Sequence, residues 1–149
     1  MFTKANEDNS IEIMLVEDNP GDARLAKEAL RECNIRNNLS IVDDGEKALD
    51  FLYKRGNYNS SPRPDLILLD LNLPDMSGVE ILEKIKRDGQ LRRTPVIVLT
   101  TTDDEGEINR CYDLGANAYV TKPLNYEGFA RAIQQLGLFI SIVKVPENA

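Results

Sequence analysis

Histidine is absent from this chain of 149 residues, and so is tryptophan. Without histidine the chain cannot by itself supply a Ser-His-Asp triad, most types of zinc site or the commonest general base. Chemistry at this protein must therefore use carboxylates, hydroxyls and lysines, or a histidine that belongs to another protein.

Cysteine and long apolar runs are also scarce. Cys33 and Cys111 show no C-x-x-C spacing, so we interpret them as reduced, mostly buried thiols without a role. No run of about 18 apolar residues occurs, and residues 1–10 contain no apolar stretch. We therefore expect a flexible N-terminal segment over residues 1–10 and a cytoplasmic protein without a membrane-spanning segment.

Basic side chains are outnumbered by acidic ones. Eighteen Lys and Arg residues against 25 Asp and Glu residues leave a net charge of −7. This balance argues against nucleic acid or an anionic membrane as the main partner, because both carry negative charge themselves. A cation or a basic protein surface is the expected partner.

Short β-branched apolar runs alternate along the chain with stretches of helical spacing. The predicted strands are Ile11–Val16, Leu39–Val42, Leu66–Leu69, Val96–Leu99 and Ala118–Val120. The predicted helices are Pro20–Cys33, Glu46–Lys54, Gly78–Arg87, Asp103–Leu114 and Tyr126–Val143. Five strand-helix repeats with right-handed crossovers predict an α/β fold, a parallel sheet with helices on both faces. We expect one domain over residues 11–143, a tail over residues 144–149, and no room for a second domain.

Local signals refine the helix boundaries. Ser77 and Thr102 are each followed three residues later by Glu, which is the capping-box pattern of a helix start. Gly89 and Gly115 suit helix ends that need a left-handed residue. These signals predict where the third and fourth helices begin and end.

Polar residues stand at the end of four predicted strands, where a buried strand would not choose them. They are Glu17, Asp18, Asp70, Thr100, Thr121 and Lys122. The ligand crevice of an open parallel sheet lies beyond the carboxyl ends of its strands, where the strand order reverses. We therefore expect these side chains to converge on one site.

The residue types at this predicted site favour one kind of chemistry. The carboxylates of Glu17, Asp18 and Asp70 would repel each other, and a hard divalent cation such as Mg²⁺ relieves that repulsion. Lys122 adds a positive charge opposite the acids, and Thr100 offers a hydroxyl donor to a new oxyanion. Acid, metal, cation and hydroxyl around a central carboxylate predict phosphoryl transfer onto that carboxylate.

Four segments at these strand ends carry a family resemblance. They are Ile13–Asn19, Asp65–Gly78, Pro95–Thr100 and Gly115–Pro123. Together and in this order they resemble the four signatures of the receiver domain of two-component response regulators. The resemblance implies a flavodoxin-like fold with a five-stranded parallel sheet in the order 2-1-3-4-5.

The resemblance also implies roles for single residues. Asp70 matches the phosphoacceptor, which receives its phosphoryl group from a kinase histidine. Asp18 and Asp70 match carboxylate ligands of Mg²⁺, Glu17 matches an acid that usually acts through a bound water, and Asn72 would contribute its backbone carbonyl. The implied cofactor is therefore Mg²⁺.

The remaining matches concern the phosphorylated form. Lys122 matches the lysine that pairs with the acyl phosphate, and Pro123 follows it in the position of a cis-peptide. Thr100 matches the hydroxyl that moves to the phosphate, and Tyr119 matches the aromatic switch that turns inward behind it.

A narrower likeness lies in two segments. Ser61–Asp65 before the third strand and the run Thr100–Thr102 are similar to stand-alone receivers such as the cyanobacterial phytochrome response regulators. The implied partner is a sensor histidine kinase, with a phytochrome as the candidate. We expect a single-domain response regulator that signals by protein contact, because no effector domain follows; a phosphate sink or an intermediate in a phosphorelay is the alternative.

Two competing functions use the same residues differently. A binding module of this fold that is never phosphorylated would not require the acids, the threonine and the lysine together. A small phosphatase with an aspartyl nucleophile would need an acid two positions after Asp70, where this chain has Asn72. We therefore expect a signalling protein that assists its own phosphorylation and dephosphorylation, and not an enzyme that turns over other substrates.

One position departs from the family pattern, since Thr101 replaces the usual Ala, Gly or Ser. Its larger side chain is expected to narrow access to Asp70. Asn72 and Thr102 match the two positions that flank the path of hydrolytic water in the family.

The last predicted helix is apolar on two sides. Its core-facing stripe is Phe129, Ile133, Leu136, Ile140 and Val143, while Leu138, Ile142 and Val145 lie roughly opposite. A surface helix that is apolar on both sides favours a partner. We expect a homodimer through this helix, the fourth helix and the fifth strand.

Overall fold

A computed structural model describes residues 10–33, 36–101, 104–122 and 126–131. Its strands are β1 (Ile11–Val16), β2 (Asn37–Val42), β3 (Leu66–Asp70), β4 (Val96–Thr100) and β5 (Ala118–Thr121). Its helices are α1 (Pro20–Glu32), α2 (Gly45–Tyr53), α3 (Gly78–Arg87) and α4 (Glu105–Leu114), and residues 126–131 are also helical. Short 3₁₀ turns lie at Gly56–Tyr58 and Leu91–Arg93.

The five strands form one parallel sheet in the order β2-β1-β3-β4-β5. This confirms the predicted fold class and strand order. The register pairs Val16 with Leu69, Asp70 with Leu99, and Thr100 with Thr121. All strands therefore end at one edge of the sheet, which we call the carboxyl edge.

Strand residues alternate between two apolar cores, one on each face of the sheet. Met14, Ile67 and Val98 point to the core that α2, α3 and α4 cover. Leu15 and Leu68 point to the core that α1 and Phe129 cover. Because successive strand residues face opposite sides, continuous apolar runs such as β3 supply both cores at once.

The observed boundaries differ from the predicted ones mainly at the strand ends. Asp70, Thr100 and Thr121 are themselves the last residues of β3, β4 and β5. The backbone ladder continues through these polar residues because its hydrogen bonds do not depend on the side chains. The functional side chains are thus placed by regular strand backbone.

Four residues were predicted to mark helix boundaries; two of these predictions are confirmed and two are wrong. Ser77 caps α3, and Gly115 ends α4 with φ 111°. However, α4 begins at Glu105 with Asp104 as its N-cap, so the capping box predicted from Thr102 starts the helix too early. Gly89 does not have the expected positive φ, and the C-cap of α3 is Asp88 with extended backbone.

A close backbone approach fixes the start of the loop after β3. Gly78 donates its backbone N–H to the carbonyl of Leu71 at 2.9 Å. A Cβ at Gly78 would lie 2.3 Å from the backbone oxygen of Asp70, so only glycine permits this approach. The first turn of α3 is therefore packed directly against the backbone of the predicted phosphoacceptor.

Among the described residues, none of the helices combines the length and the hydrophobicity needed to cross a bilayer.

Candidate phosphoacceptor and metal site

Three carboxylates meet at the carboxyl edge, as the strand ends predict. Glu17 and Asp18 directly follow β1, and Asp70 ends the neighbouring strand β3. One carboxylate oxygen from each of the three residues lies within 4.8 Å of the others. Glu17 and Asp70 are 2% and 1% exposed, whereas Asp18 is open to solvent. The cluster therefore has a buried floor and an accessible side.

Lys122 reaches into this cluster from the end of β5. Its Nζ lies 3.0 Å from Asp70 Oδ2, 2.7 Å from Glu17 Oε1 and 3.2 Å from Asp22 Oδ2. Its backbone N–H is bound to the carbonyl of Thr100 at 2.7 Å, which anchors the residue beside β4. The lysine is therefore held within ion-pair distance of three acids, one of which, Asp22 on α1, is not anticipated by the strand-end pattern.

Burial and charge shift the titration of the paired groups. The pKa of Glu17 is raised to about 7, first by burial and then by its hydrogen bond with Asp70, while the hydrogen bond from Lys122 opposes the shift. Burial also acts to lower the pKa of Lys122. Hydrogen bonds to Glu17 and Asp70 outweigh that effect, so the pKa of Lys122 lies above its ordinary value. The ammonium therefore stays charged at neutral pH, whereas Glu17 is only partly ionised there.

The donor set fits a hard divalent cation. Glu17 Oε1 is fully buried, and among the described residues no donor forms a hydrogen bond of good geometry with it, although the Lys122 ammonium lies beside it. A single ammonium does not balance Glu17, Asp18 and Asp70 together. Carboxylate oxygens at this spacing are the ligands that Mg²⁺ and Mn²⁺ take in proteins. Glu17, Asp18 and Asp70 can therefore hold such an ion between them.

The two oxygens of Asp70 are held in different ways. Oδ2 accepts from Lys122, and Oδ1 accepts from the backbone N–H of Asn72 at 2.9 Å. An open cleft of about 530 Å³ lies next to the site, with Asp18 and residues 71–77 among its lining. The acceptor carboxylate is thus oriented by two donors, one of which, Asn72, also lines the cleft.

The last residue of β4, Thr100, and the residue that follows it, Thr101, lie at the same edge of the sheet. Thr100 is 1% exposed and pairs with Thr121 in the β4-β5 ladder. Next to it, Thr101 is exposed, and its Oγ1 accepts a hydrogen bond from Asn72 Nδ2 at 3.1 Å. The residue that departs from the family pattern therefore forms a side-chain bridge between the loops that follow β3 and β4.

The predicted aromatic switch lies on the outside of the molecule. Tyr119 is 38% exposed, and its ring packs edge-to-face against Tyr112 of α4 with the ring centroids 5.9 Å apart. An inward movement of Tyr119 would have to break this contact.

Five of the sequence predictions lie wholly or almost wholly outside the described residues. They are the N-terminal segment over residues 1–10, the water-path role of Thr102, the cis-peptide before Pro123, the apolar face beyond residue 131 and the tail over residues 144–149.

The fold and the site together define a flavodoxin-like α/β domain with an acidic, lysine-containing pocket beyond its strand ends. The chain belongs to the response regulator receiver domain family, whose sequence pattern matches residues 13–134. The resemblance predicted from the four segments is therefore confirmed.

Individual relatives agree with this assignment. Response regulator Rcp1 of Synechocystis sp. is 44% identical to this chain over 127 residues, which cover 85% of this chain and 86% of Rcp1. The crystal structure of Mn²⁺-bound Rcp1 has a TM-score of 0.80 at 41% identity, covering 91% of this chain and 98% of that one. The phosphorylated cyanobacterial phytochrome response regulator RcpA also has a TM-score of 0.80, at 40% identity, covering 91% and 96%.

Sequence reasoning found the central groups but missed several of their partners. Asp22, Asp75 and Tyr112 were not singled out, although each contacts the site, its loop or its switch residue. Asp22 and Tyr112 lie on helices, where an acid or an aromatic is common for other reasons. Only Asp22 could have been predicted, because it lies in the first turn of α1, four residues after Asp18.

Proposed function

We propose that this chain accepts a phosphoryl group on Asp70 from the histidine of a partner histidine kinase, in a reaction that depends on Mg²⁺. The observation that carries the proposal is the position of Lys122, whose Nζ lies 3.0 Å from Asp70 Oδ2 within a buried acidic cluster. Remote parts of the chain are brought together at one aspartyl oxygen, next to an open cleft.

The transfer exchanges one bond for another at phosphorus. An Asp70 carboxylate oxygen forms a P–O bond while the P–N bond to the kinase histidine breaks, and the nitrogen keeps the bonding pair. Asn72 N–H and the Lys122 ammonium hold the carboxylate in place before the reaction. After it, Lys122 and the hydroxyl of Thr100 are the donors beside the new phosphoryl oxygens. The histidine that this chain lacks thus comes from the partner.

A divalent cation would be held by Asp18, Asp70 and the backbone carbonyl of Asn72, with Glu17 acting through water. When bound, it supplies positive charge to the phosphoryl oxygens during transfer. The acidic cluster and the Mn²⁺-bound form of Rcp1 support a divalent ion, and we propose Mg²⁺ as its identity.

Phosphorylation would act on the surface through charge. It adds almost two negative charges beside Lys122 and Thr100, which would draw the threonine hydroxyl inward and leave room for Tyr119 to follow. The output would be a protein contact of the α4-β5 surface, and the protein would assist only its own phosphorylation and dephosphorylation.

The partner and setting follow from the same reaction. A kinase of the phytochrome type is the proposed donor, supported by the similarity to RcpA. Because histidine kinases are charged by ATP, we place the reaction in the cytoplasm. We also propose a homodimer through the last helix, α4 and β5, with no nucleic acid as partner; analytical ultracentrifugation that finds a monomer with and without a phosphate mimic would refute the dimer.

The test is labelling of the wild-type chain by acetyl phosphate and by a panel of phosphorylated histidine kinases. We expect labelling that requires Mg²⁺ and disappears in Asp70→Asn, because the amide cannot form the acyl phosphate. Asp65→Asn is the matched control, since Asp65 lies just before the opposite end of the same strand and accepts from the backbone N–H of Glu12. Persistent labelling of Asp70→Asn would place the acceptor elsewhere.

A further inference from the structure

The loop that follows the phosphoacceptor is tied to a second helix by one side chain. The carboxylate of Asp75 accepts hydrogen bonds from the backbone N–H groups of Gly45 at 2.8 Å and Glu46 at 2.9 Å. These two amides begin α2, which lies about thirty residues earlier in the chain. The contact therefore joins residues 71–77 to an element that takes no part in the acidic cluster.

Two backbone contacts join the ends of this loop to each other, but neither contact reaches α2. Asn72 and Ser77 form an antiparallel bridge, and Gly78 donates to the carbonyl of Leu71. The tip of the loop, which contains Asp75 and Met76, contacts the start of α2. The tip is packed closely there, since a Cβ at Gly45 would lie 2.4 Å from Met76 Cγ.

The helix does not need Asp75 for its own N-cap. Asp44 is the N-cap of α2, and its carboxylate accepts from the backbone N–H of Lys47 at 2.7 Å. Asp75 binds two further first-turn amides at the positive end of the helix dipole. These two bonds lower the pKa of Asp75, with the bond from Gly45 as the largest cause, so the carboxylate stays charged.

We propose that Asp75 is a positioning residue for the divalent-cation site: it holds the loop of residues 71–77 against α2, and so keeps Asn72 beside Asp70. Asn72 connects the loop to the site, because its backbone N–H donates to Asp70 Oδ1 at 2.9 Å and its carbonyl is the proposed metal ligand. Asp75 itself is not a proposed metal ligand, and it acts on the site only by holding the loop in position. This inference rests on the proposed function, which supplies the metal.

The experiment compares two side chains that cap the same helix. Asp75→Ala and Asp44→Ala each remove a carboxylate from the start of α2, but only the first releases the loop. Mn²⁺ affinity is measured by electron paramagnetic resonance titration of the folded full chain, and the free energy of unfolding is measured by urea denaturation. We expect Asp75→Ala to weaken Mn²⁺ binding about tenfold, as is typical when a group that orients a ligand is lost. Asp44→Ala should lose stability and keep the wild-type affinity.

The possible outcomes separate the inference from the proposed function. If the wild type binds no Mn²⁺ and Asp18→Asn changes nothing, the metal site fails and this inference fails with it. If the wild type binds Mn²⁺ and the two capping variants share one affinity, Asp75 is only a helix cap and the inference is wrong. Asp75→Asn keeps one acceptor oxygen and should show a smaller loss. Should Asp75→Ala not fold, an unchanged affinity in Asp75→Asn overturns the proposal.

Discussion

The two edges of the central sheet use polar side chains in opposite ways. At the amino edge, where the parallel strands begin, Asp65 and Asn117 each satisfy a backbone group of a neighbouring strand. Asp65 accepts from the backbone N–H of Glu12 at 2.8 Å, and Asn117 accepts from the backbone N–H of Val96 at 2.9 Å. These hydrogen bonds close the ends of the ladder.

At the carboxyl edge the polar side chains face each other instead. The carboxylates of Glu17, Asp22 and Asp70 surround the ammonium of Lys122. In the part of the chain that the structure describes, Glu17 Oε1 accepts no hydrogen bond of good geometry. Mutual repulsion of the acids makes this arrangement costly unless a cation joins it.

The difference shows how one backbone framework supports both stability and function. The ladder is regular from edge to edge, so the contrast comes from the side chains alone. Removing an acid at the carboxyl edge should therefore raise the free energy of unfolding, whereas removing a hydrogen-bonding side chain at the amino edge should lower it.

The largest effect is expected at Lys122. Lys122→Ala leaves buried acids without their ammonium and should lower the free energy of unfolding by about 3 kcal/mol, as is typical for breaking a buried ion pair. Millimolar Mg²⁺ should restore part of this loss, since a divalent ion replaces the missing charge. Urea denaturation with and without Mg²⁺ measures both effects. A loss that Mg²⁺ does not change would mean that the cluster is not a cation site.

A pair of variants tests the opposite signs directly. Asp70→Asn removes one of the repelling acids and should raise the free energy of unfolding by about 1 kcal/mol, the range of a typical stabilising change at a strained site. Asn117→Ala removes the side-chain acceptor of the Val96 backbone N–H. It should lower the free energy of unfolding by about 1 kcal/mol and leave the labelling of Asp70 unchanged. Both are measured by urea denaturation without added metal. Shifts of the same sign in the two variants would refute the contrast between the edges.

The smallest effect concerns the bridge from Asn72 to Thr101. Thr101→Ala removes this hydrogen bond and leaves a smaller side chain beside Asp70. Water should therefore reach the phosphorylated Asp70 more easily. A bond worth about 1 kcal/mol corresponds to roughly a fivefold shorter lifetime of the acyl phosphate. Loss of label is followed over time after the phosphodonor is removed. Thr101→Ser keeps the hydroxyl and should stay near the wild type; equal lifetimes in all three proteins would show that the bridge does not shield Asp70.

Much of the fold could be predicted because the sequence pattern is regular. Apolar runs such as Leu66–Leu69 are long enough for a strand that is buried on both faces, and their alternation with helical spacing leaves few possible topologies. The helix boundaries were harder to predict. At the start of α4, Thr102 and Asp104 offer competing caps, and the structure uses Asp104. Both types of residue cap helices well, so local preference could not decide between them.

The site also has residues that could be predicted from the sequence and partners that could not. Asp18, Asp70 and Lys122 could be assigned to one edge because parallel strands all end there. The partners from other elements could not be assigned in this way. The contact of Asp75 with Gly45 joins a loop to the start of a helix, and their distance is set only when α2 and α3 pack on the same core.

The sequence by itself determined which side chains stand at the ends of the strands, because the two-residue period of a strand and the direction of parallel strands fix their face and their edge. The tertiary structure alone decided which acids share Lys122, which loop Asp75 holds, and where Tyr119 rests. Long side chains and loop tips can take many positions locally, and only the packing of distant elements against one another selects among them.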